Sequence, residues 1–589
     1  MKYQLIKPIN EKYNTIEQIL TNRNIPYEEI NHYINTTDDD INSPLLLGEE
    51  NLKNAAIALS IAVNFNQDAI VIIDSDCDGF TSSALLINYL YDLFPSWVSN
   101  HLKWLIHNGK EHGLNDCINY LLASSFKLIL IPDASSNDYE CHELLKNTGR
   151  NIIILDHHEA EYQSPNAIVI NNQISDYPNK FLSGVGVTWQ FCRYLDSLLH
   201  SNYSQNYLDL VALGNTADMM SLTNLETKHL INKGFLPENI KNPFIYYMWQ
   251  KNNFKLGNYI TSWGAAFYIA PFVNAMVRSG TQEEKNLLFN SMLNFIAFNE
   301  VPSTKRGHQV NETEIIVEQS IRTCINVKNR QSKAQDQNLA FFENLIKEQK
   351  LLDNKILLFL VEPTTVDKNI AGLIANKLMA KYSKPCCILI KNIDKETGEI
   401  NYQGSARGCD KTGIINFKDI CESTGETIFT AGHQGAFGLG IAADKIKIFL
   451  QKVNNILKDV NDETVYNVDY VFNSNNIIPM IILDIANMDN YWGKDIEEAL
   501  VALEKIQITE NMVTLMSPDK FPTLKITIPN KISLIKFGSS QEEYESFIST
   551  GIITANFVCK CNKNEWNGNI TPQLFIEDYE IINNQKYFF

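Results

Sequence analysis

No two of the 11 cysteines in this 589-residue chain stand in a C-x-x-C spacing. That absence argues against zinc-ribbon and thioredoxin-type sites. Cys559-Lys560-Cys561 and Cys386-Cys387 lie in strand-like or apolar surroundings, so the cysteines read as free thiols of a reducing cytoplasm. No apolar run is long enough to span a bilayer, which gives no membrane partner. Met1-Lys2-Tyr3-Gln4-Leu5 lacks the apolar core of a signal peptide. Positive charge is also scarce: 50 Lys and Arg against 68 Asp and Glu leave a formal charge of −18. Such a balance excludes a protein that coats nucleic acid by bulk electrostatics, although a local basic groove can sit on an acidic body. Neither a repeat nor a low-complexity segment is visible. With 44% apolar and 20% charged residues, the chain reads as soluble and globular, and its length suits three or four domains.

Patterning divides it further. Residues 1 to about 60 read as helical and polar. From about 68 to 220, branched apolar runs at 70–73, 128–131, 152–155 and 167–171 alternate with helical spacings at 83–93, 140–146 and 185–199. This alternation predicts a doubly wound parallel sheet. Residues 222–350 read as mostly helical, ending in a charged connector helix over 333–350 whose alternating charges suit a solvated face. A second α/β unit begins near 353, with strands at 356–361 and 386–390 and a helix at 370–380. Two glycine-bearing stretches in it, Gly404-Ser405-Ala406-Arg407-Gly408 and Ala431-Gly432-His433-Gln434-Gly435, read as loops. Beyond 465, β-like runs at 524–528, 532–537, 553–558 and 574–576 suit a small barrel.

Acids and histidines follow directly on the buried runs. Asp74-Ser75-Asp76-Cys77-Asp78-Gly79 follows the first, Asp133 the second, and Asp156-His157-His158 the third, while Asp218 ends an apolar helix. Open α/β sheets bind ligands at the carboxyl ends of their strands. On an extended strand end, Asp74, Asp76 and Asp78 would share a face, about 7 Å apart. Thr81-Ser82 would then cap the following helix, and Ser135, Ser136 or Asn137 the next. A calcium EF-hand loop is excluded, because its later glutamate and flanking helices are missing. An oxygen-rich set with one or two imidazoles suits Mn2+ or Mg2+ better than zinc, and so many carboxylates suggest two ions. The chemistry indicated is metal-assisted attack on phosphorus.

These residues, in this order, resemble the DHH phosphoesterase superfamily, and within it the RecJ-type single-stranded-DNA exonucleases. Asp74 to Gly79, Pro132-Asp133, Asp156-His157-His158 and Ala217-Asp218 resemble its four motifs. Leu182-Ser183-Gly184-Val185-Gly186-Val187 and Leu208-Asp209-Leu210-Val211-Ala212-Leu213-Gly214 are similar to RecJ in detail. The resemblance implies an α/β fold: an N-terminal helical extension (1–60), a DHH domain (61–230), a helical region with the connector (231–350), a DHH-associated domain (351–460) and an OB-like nucleic-acid-binding domain (461–589). It implies Asp74, Asp76, Asp78, Asp133, His157 and Asp218 as the metal set, with Asp156, His157 and His158 as the catalytic group and His158 on the scissile phosphate. Arg278, Ser405 and Arg407 would hold a 5′ phosphate, and Gly432 and His433 would bind substrate. In the tail, Asn564-Glu565-Trp566-Asn567-Gly568 resembles the attached OB-like fold, with Trp566 read as a core aromatic rather than a stacking platform. Two departures stand out. Ile72 occupies a position where some relatives carry histidine, and the arginine that relatives place before Lys110-Glu111-His112-Gly113-Leu114-Asn115 is replaced by a neighbourhood of His107, Asn108 and Lys110.

The implied function is a two-metal, 5′-to-3′ exonuclease acting on single-stranded DNA in recombination and repair. It would be a cytoplasmic monomer working beside a helicase or a single-strand-binding protein. Two rivals use the same fold: a phosphodiesterase for short oligonucleotides or cyclic dinucleotides, and a non-catalytic replication scaffold.

Overall fold

The computed structural model describes residues 1–585 apart from 109–111, 395–397, 415, 461–463, 530–531, 549–550 and 567. Lys110, Glu111, Asn567 and the Trp566 ring therefore lie outside what is described. The chain forms two compact units. The first comprises residues 31–332 and 489–497; the second comprises 1–30, 333–488 and 498–589.

A five-stranded, wholly parallel sheet organises the first unit. Its spatial order is Leu102–Ile106, Ala69–Ile73, Leu128–Pro132, Asn151–Asp156, Ile168–Asn171. Ala69–Ile73 and Leu128–Pro132 are buried at every position, as continuous branched runs covered on both faces require. Ile70, Ile72, Ile129, Ile131, Ile152 and Ile154 build one core layer with Cys141 and Leu145 of the helix Tyr139–Asn147. The helix Cys77–Leu93 is buried from Cys77 through Leu90 and packs against Gly184–Leu199 and Leu208–Ala217. From Ala69–Ile73 the chain crosses outward to Leu102–Ile106 and then returns to Leu128–Pro132 on the other side. The strand order thus reverses between Ala69–Ile73 and Leu128–Pro132, and this switch point opens a crevice at their carboxyl ends.

In the second unit, a mixed five-stranded sheet runs Thr427–His433, Ala436–Ala442, Ile400–Arg407, Cys386–Ile393, Leu357–Val361. The two stretches expected as loops are strand over Gly404–Arg407 and Ala431–His433, while Gln434-Gly435 forms the turn into the return strand. Their glycines serve close packing: an added Cβ at Gly404 would meet the Ile388 carbonyl oxygen at 2.0 Å. The connector helix is longer than its charge pattern indicated, Ile316–Glu348, because its N-terminal half is apolar enough to be buried (Val317, Ile321, Cys324, Val327). The β-rich tail is a seven-stranded sheet with Tyr470–Asn473 and Val513–Met516 as its edges; barrel closure is not among the described pairings. All 11 cysteines are free and buried. Among the described residues no helix is long and apolar enough to cross a membrane.

The polar N-terminal stretch holds a strand that helical spacing concealed. Lys2–Leu5 pairs in parallel with Val465–Val468. Beside it, Arg23 forks onto both oxygens of the fully buried Asp469 at 2.8 and 3.0 Å, and Asn22 adds a third donor at 2.8 Å. Removing one partner of such a pair strands a charge in the interior. Arg23→Ala is expected to destabilise the second unit by about 3 kcal/mol, read as a lower urea midpoint, whereas Lys12→Ala in the exposed turn nearby should leave it unchanged.

Candidate metal centre at the sheet edge

Three adjacent strands deliver the chemistry to one edge. Ala69–Ile73 runs into Asp74, Leu128–Pro132 into Asp133, and Asn151–Asp156 into His157 and His158. After Ile73 the chain turns at once into the helix Cys77–Leu93. Asp76 is its N-cap, accepting from the Gly79 amide at 2.9 Å. Thr81 and Ser82 lie inside that helix, where their hydroxyls donate back to the carbonyls of Cys77 and Asp78. Asp138, not Ser135, Ser136 or Asn137, occupies the N-cap position of Tyr139–Asn147.

This early helical turn corrects the shared-face geometry expected for Asp74, Asp76 and Asp78. Asp74 and Asp76 group with Asp133, whereas Asp78 groups with His157 and Asp218; in each set the ligand atoms lie within 4.8 Å of one another. A third set joins Asp133, His157 and His158. His157 Nε2 lies 3.2 Å from Asp133 Oδ1, 3.4 Å from Asp218 Oδ2 and 3.9 Å from Asp78 Oδ2. All six residues anticipated as ligands thus meet at one place.

The electrostatics reflect this crowding. Burial and then Asp76 push Asp78 up to about 6, and burial with Asp78 and Asp76 pushes Asp218 up to about 8. Asp133 and Asp74 are raised well above the carboxylate range for the same reasons, burial first. Asp78 is the best supported of them. Ser183 Oγ and the amides of Gly184 and Val185 donate to it at 3.1, 2.7 and 3.2 Å, so the N-terminus of Gly184–Leu199 points its dipole at this carboxylate.

Asp156 plays a different part. It belongs to none of the three sets. Its oxygens accept from the amides of Ser136, His157 and His158 and from His158 Nδ1 at 2.8 Å. Burial opposes its ionisation, but these donors and both imidazoles hold its carboxyl well below the usual range. In return, desolvation works against a charged His158 and the Asp156 bond outweighs it, pushing that ring up to about 10. Asp156 therefore orients a protonated His158, more than half of whose side chain is exposed.

Sequence reasoning left Gly184 and Gly214 without a role and read Gly79 as the site of a tight turn, whereas it lies within the helix Cys77–Leu93. A Cβ at Gly184 would fall 2.3 Å from Asp133 Oδ1, one at Gly214 2.3 Å from Asp78 Oδ1, and one at Gly79 2.6 Å from Asp74 Cβ. All three lie in helices, where glycine costs about 1 kcal/mol relative to alanine. That cost was the available signal that backbone must approach something closely.

Arg278, on the helix Ala270–Ser279, is largely buried in the same unit. Burial lowers its pKa and the nearby charge of Asp76 opposes that shift. In the second unit, Ser405 and Arg407 share one face of Ile400–Arg407. Both lie over Gly372, where an added Cβ would sit 3.2 Å from Ser405 Oγ and 2.4 Å from Arg407 Nη2. Gly432 has φ +122°, and His433 ends its strand with an exposed side chain, two residues short of the return strand.

The donor set is five carboxylates and one or two imidazoles, and Asp74 Oδ1 is buried without a hydrogen-bond partner. Hard oxygen ligands of this kind fit Mn2+ or Mg2+.

The family description "DHH family, N-terminal domain" matches residues 68–215. YorK of Bacillus subtilis, an SPbeta prophage-derived protein named for single-strand DNA-specific exonuclease activity, is 32% identical over 589 residues, covering 100% of this chain and 99% of its own. The single-stranded-DNA-specific exonuclease RecJ of Bacillus subtilis is 25% identical over 567 residues, covering 93% of this chain and 65% of its own. The crystal structure of RecJ from Thermus thermophilus in complex with Mn2+ superposes with a TM-score of 0.70 at 16% identity, over 97% of this chain and 78% of that one.

Gly184→Ala is expected to displace Asp133 and weaken Mn2+ binding by about tenfold or more, measured by titration calorimetry, with the far-ultraviolet circular dichroism unchanged.

Proposed function

Because this chain belongs to the DHH family, in the branch of YorK and RecJ, we propose that it hydrolyses single-stranded DNA from the 5′ end, releasing 5′ mononucleotides in recombination and repair. Asp74, Asp76, Asp78, Asp133, His157 and Asp218 would hold two divalent ions, Mn2+ or Mg2+. When bound, such ions neutralise the carboxylates, polarise a phosphate ester and supply hydroxide near neutral pH. The remaining work falls to the chain itself. His158, kept protonated by Asp156, donates to a non-bridging oxygen of the scissile phosphate. Asp78, fixed by the N-terminus of Gly184–Leu199, keeps its position while charge develops. Ser405 and Arg407, displayed together over Gly372, bind DNA phosphate, with Gly432 and His433 contacting the strand nearby.

Arg278 carries the end-directed part of this reading. Its guanidinium is largely buried beside Asp76 and makes no hydrogen bond or ion pair among the described residues. A largely desolvated guanidinium whose donors are not hydrogen-bonded favours an anion that completes them, and its planar fork matches a terminal phosphate. A scaffold needs no such group.

Digestion of end-labelled strands tests the proposal. With Mn2+ or Mg2+, a 5′ label is expected to appear at once as mononucleotide while a 3′ label shortens gradually, with no release in chelator or from blunt duplex. Release from the 3′ end first, or preference for dinucleotides or cyclic dinucleotides over long strands, would overturn it. Asp78→Ala and His157→Ala are each expected to lower kcat at least about a thousandfold without unfolding. Arg278→Ala should lower kcat/KM on 5′-phosphorylated strands about ten- to a hundredfold and barely affect 5′-hydroxyl strands.

A further inference from the structure

The acidic total leaves open where a polyanion can lie, and one stretch of the first unit answers it. Between Glu238 and Glu283 the sequence contains no Asp or Glu, in a chain carrying 68 of them, yet it holds Lys241, Lys251, Lys255 and Arg278. The same stretch is dense in aromatics. Phe254 is fully exposed, and Tyr246, Tyr259 and Phe267 are each roughly half exposed. Rings of this size seldom face water without a binding role when they cluster.

The aromatics are held rather than loose. Trp263 packs on Phe267 and Tyr268, with ring centroids 4.6 and 5.9 Å apart, and Lys255 Nζ lies 4.8 Å over the Tyr268 ring. Trp249 Nε1 donates to the Gly257 carbonyl at 3.1 Å and pins the turn that presents Phe254 and Lys255. The Asp489 carboxylate approaches this surface beside Tyr259. The elements that carry this surface adjoin those of the site. The helix Ser262–Tyr268 leads directly into Ala270–Ser279, which carries Arg278, and it packs on Leu208–Ala217, whose C-cap is Asp218.

We propose that this surface, formed by Phe254, Tyr259, Phe267, Lys251 and Lys255 from a stretch that contributes no carboxylate of its own, is a stacking platform for the bases of single-stranded DNA beyond those held at the metal centre. Aromatic faces accept any base and lysines track the backbone, which is the chemistry that grips single strands without reading sequence. A protein partner would gain nothing from a stretch that brings no carboxylate of its own; a polyanion gains directly. The inference rests on the exonuclease reading and extends it from the chemical step to the path of the strand.

Cleavage kinetics in Mn2+ with a trinucleotide and with a strand of about 20 nucleotides separate the two claims. Phe254→Ala combined with Phe267→Ala is expected to raise KM for the long strand about tenfold, leaving kcat and the trinucleotide KM unchanged. Lys251→Gln with Lys255→Gln should flatten the salt dependence of the long-strand KM by about one log unit per log unit. These side chains are exposed, and an unchanged melting temperature verifies the fold. A wild-type chain that cleaves both lengths, with variants that lose nothing or that lose equally on both, overturns the platform alone. Unchanged kinetics together with abolished self-association reassigns the face to a second copy and also overturns it. A wild-type chain that cleaves neither strand overturns the exonuclease reading and the platform with it.

Discussion

Mutual repulsion among carboxylates sets the terms for the first unit. Asp74, Asp76, Asp78, Asp133 and Asp218 meet at one sheet edge, with Asp156 beside them. Two ionised groups about 5 Å apart at an effective dielectric near 20 repel by roughly 3 kcal/mol. Several such pairs together rival the 5–15 kcal/mol that holds a typical domain folded. The cluster therefore carries protons or takes up cations, and the raised pKa values of Asp78 and Asp218 express that alternative. The surrounding architecture answers the same demand: a helix N-terminus aimed at Asp78, four donors on Asp156, and glycine backbones pressed against Asp133 and Asp78.

Much of this arrangement was readable from the chain. Parallel strands covered on both faces must be uninterrupted apolar runs, so Asp133 and Asp156-His157-His158 announced themselves by ending such runs. The approximate course of Gly184–Leu199 and Leu208–Ala217 followed from helical spacing. What escaped depended on local context. Asp76 caps a helix one residue before Cys77, and a strand pattern cannot show where that turn begins. The glycines at 404 and 432 resemble loop glycines in sequence, because the close backbone approaches that they permit involve residues on other strands. Lys2–Leu5 is too short for alternation to register, and its partner is more than 450 positions away.

Charge is distributed unevenly for a reason that net charge hides. The acids serve caps, surface solubility and the metal cluster, while one aromatic stretch of the first unit is free of them. An acidic protein can thus offer a polyanion a local path, and the remaining negative surface disfavours attachment elsewhere.

The weaving of the chain has a consequence for biosynthesis. The first unit is completed by residues 489–497: Leu222 donates to the Lys494 carbonyl at 3.0 Å, Trp492 is buried, and the Tyr491 ring lies 5.7 Å from the ammonium of Lys228. A ribosome has made all of residues 31–332, and more than 150 residues beyond them, before that piece emerges. Until then Leu222 and Lys228 lack these neighbours, and Lys2–Leu5 waits in the same way for Val465–Val468. Both units are in this way completed by segments distant in sequence from their opening residues, so that neither can close on its first continuous stretch alone.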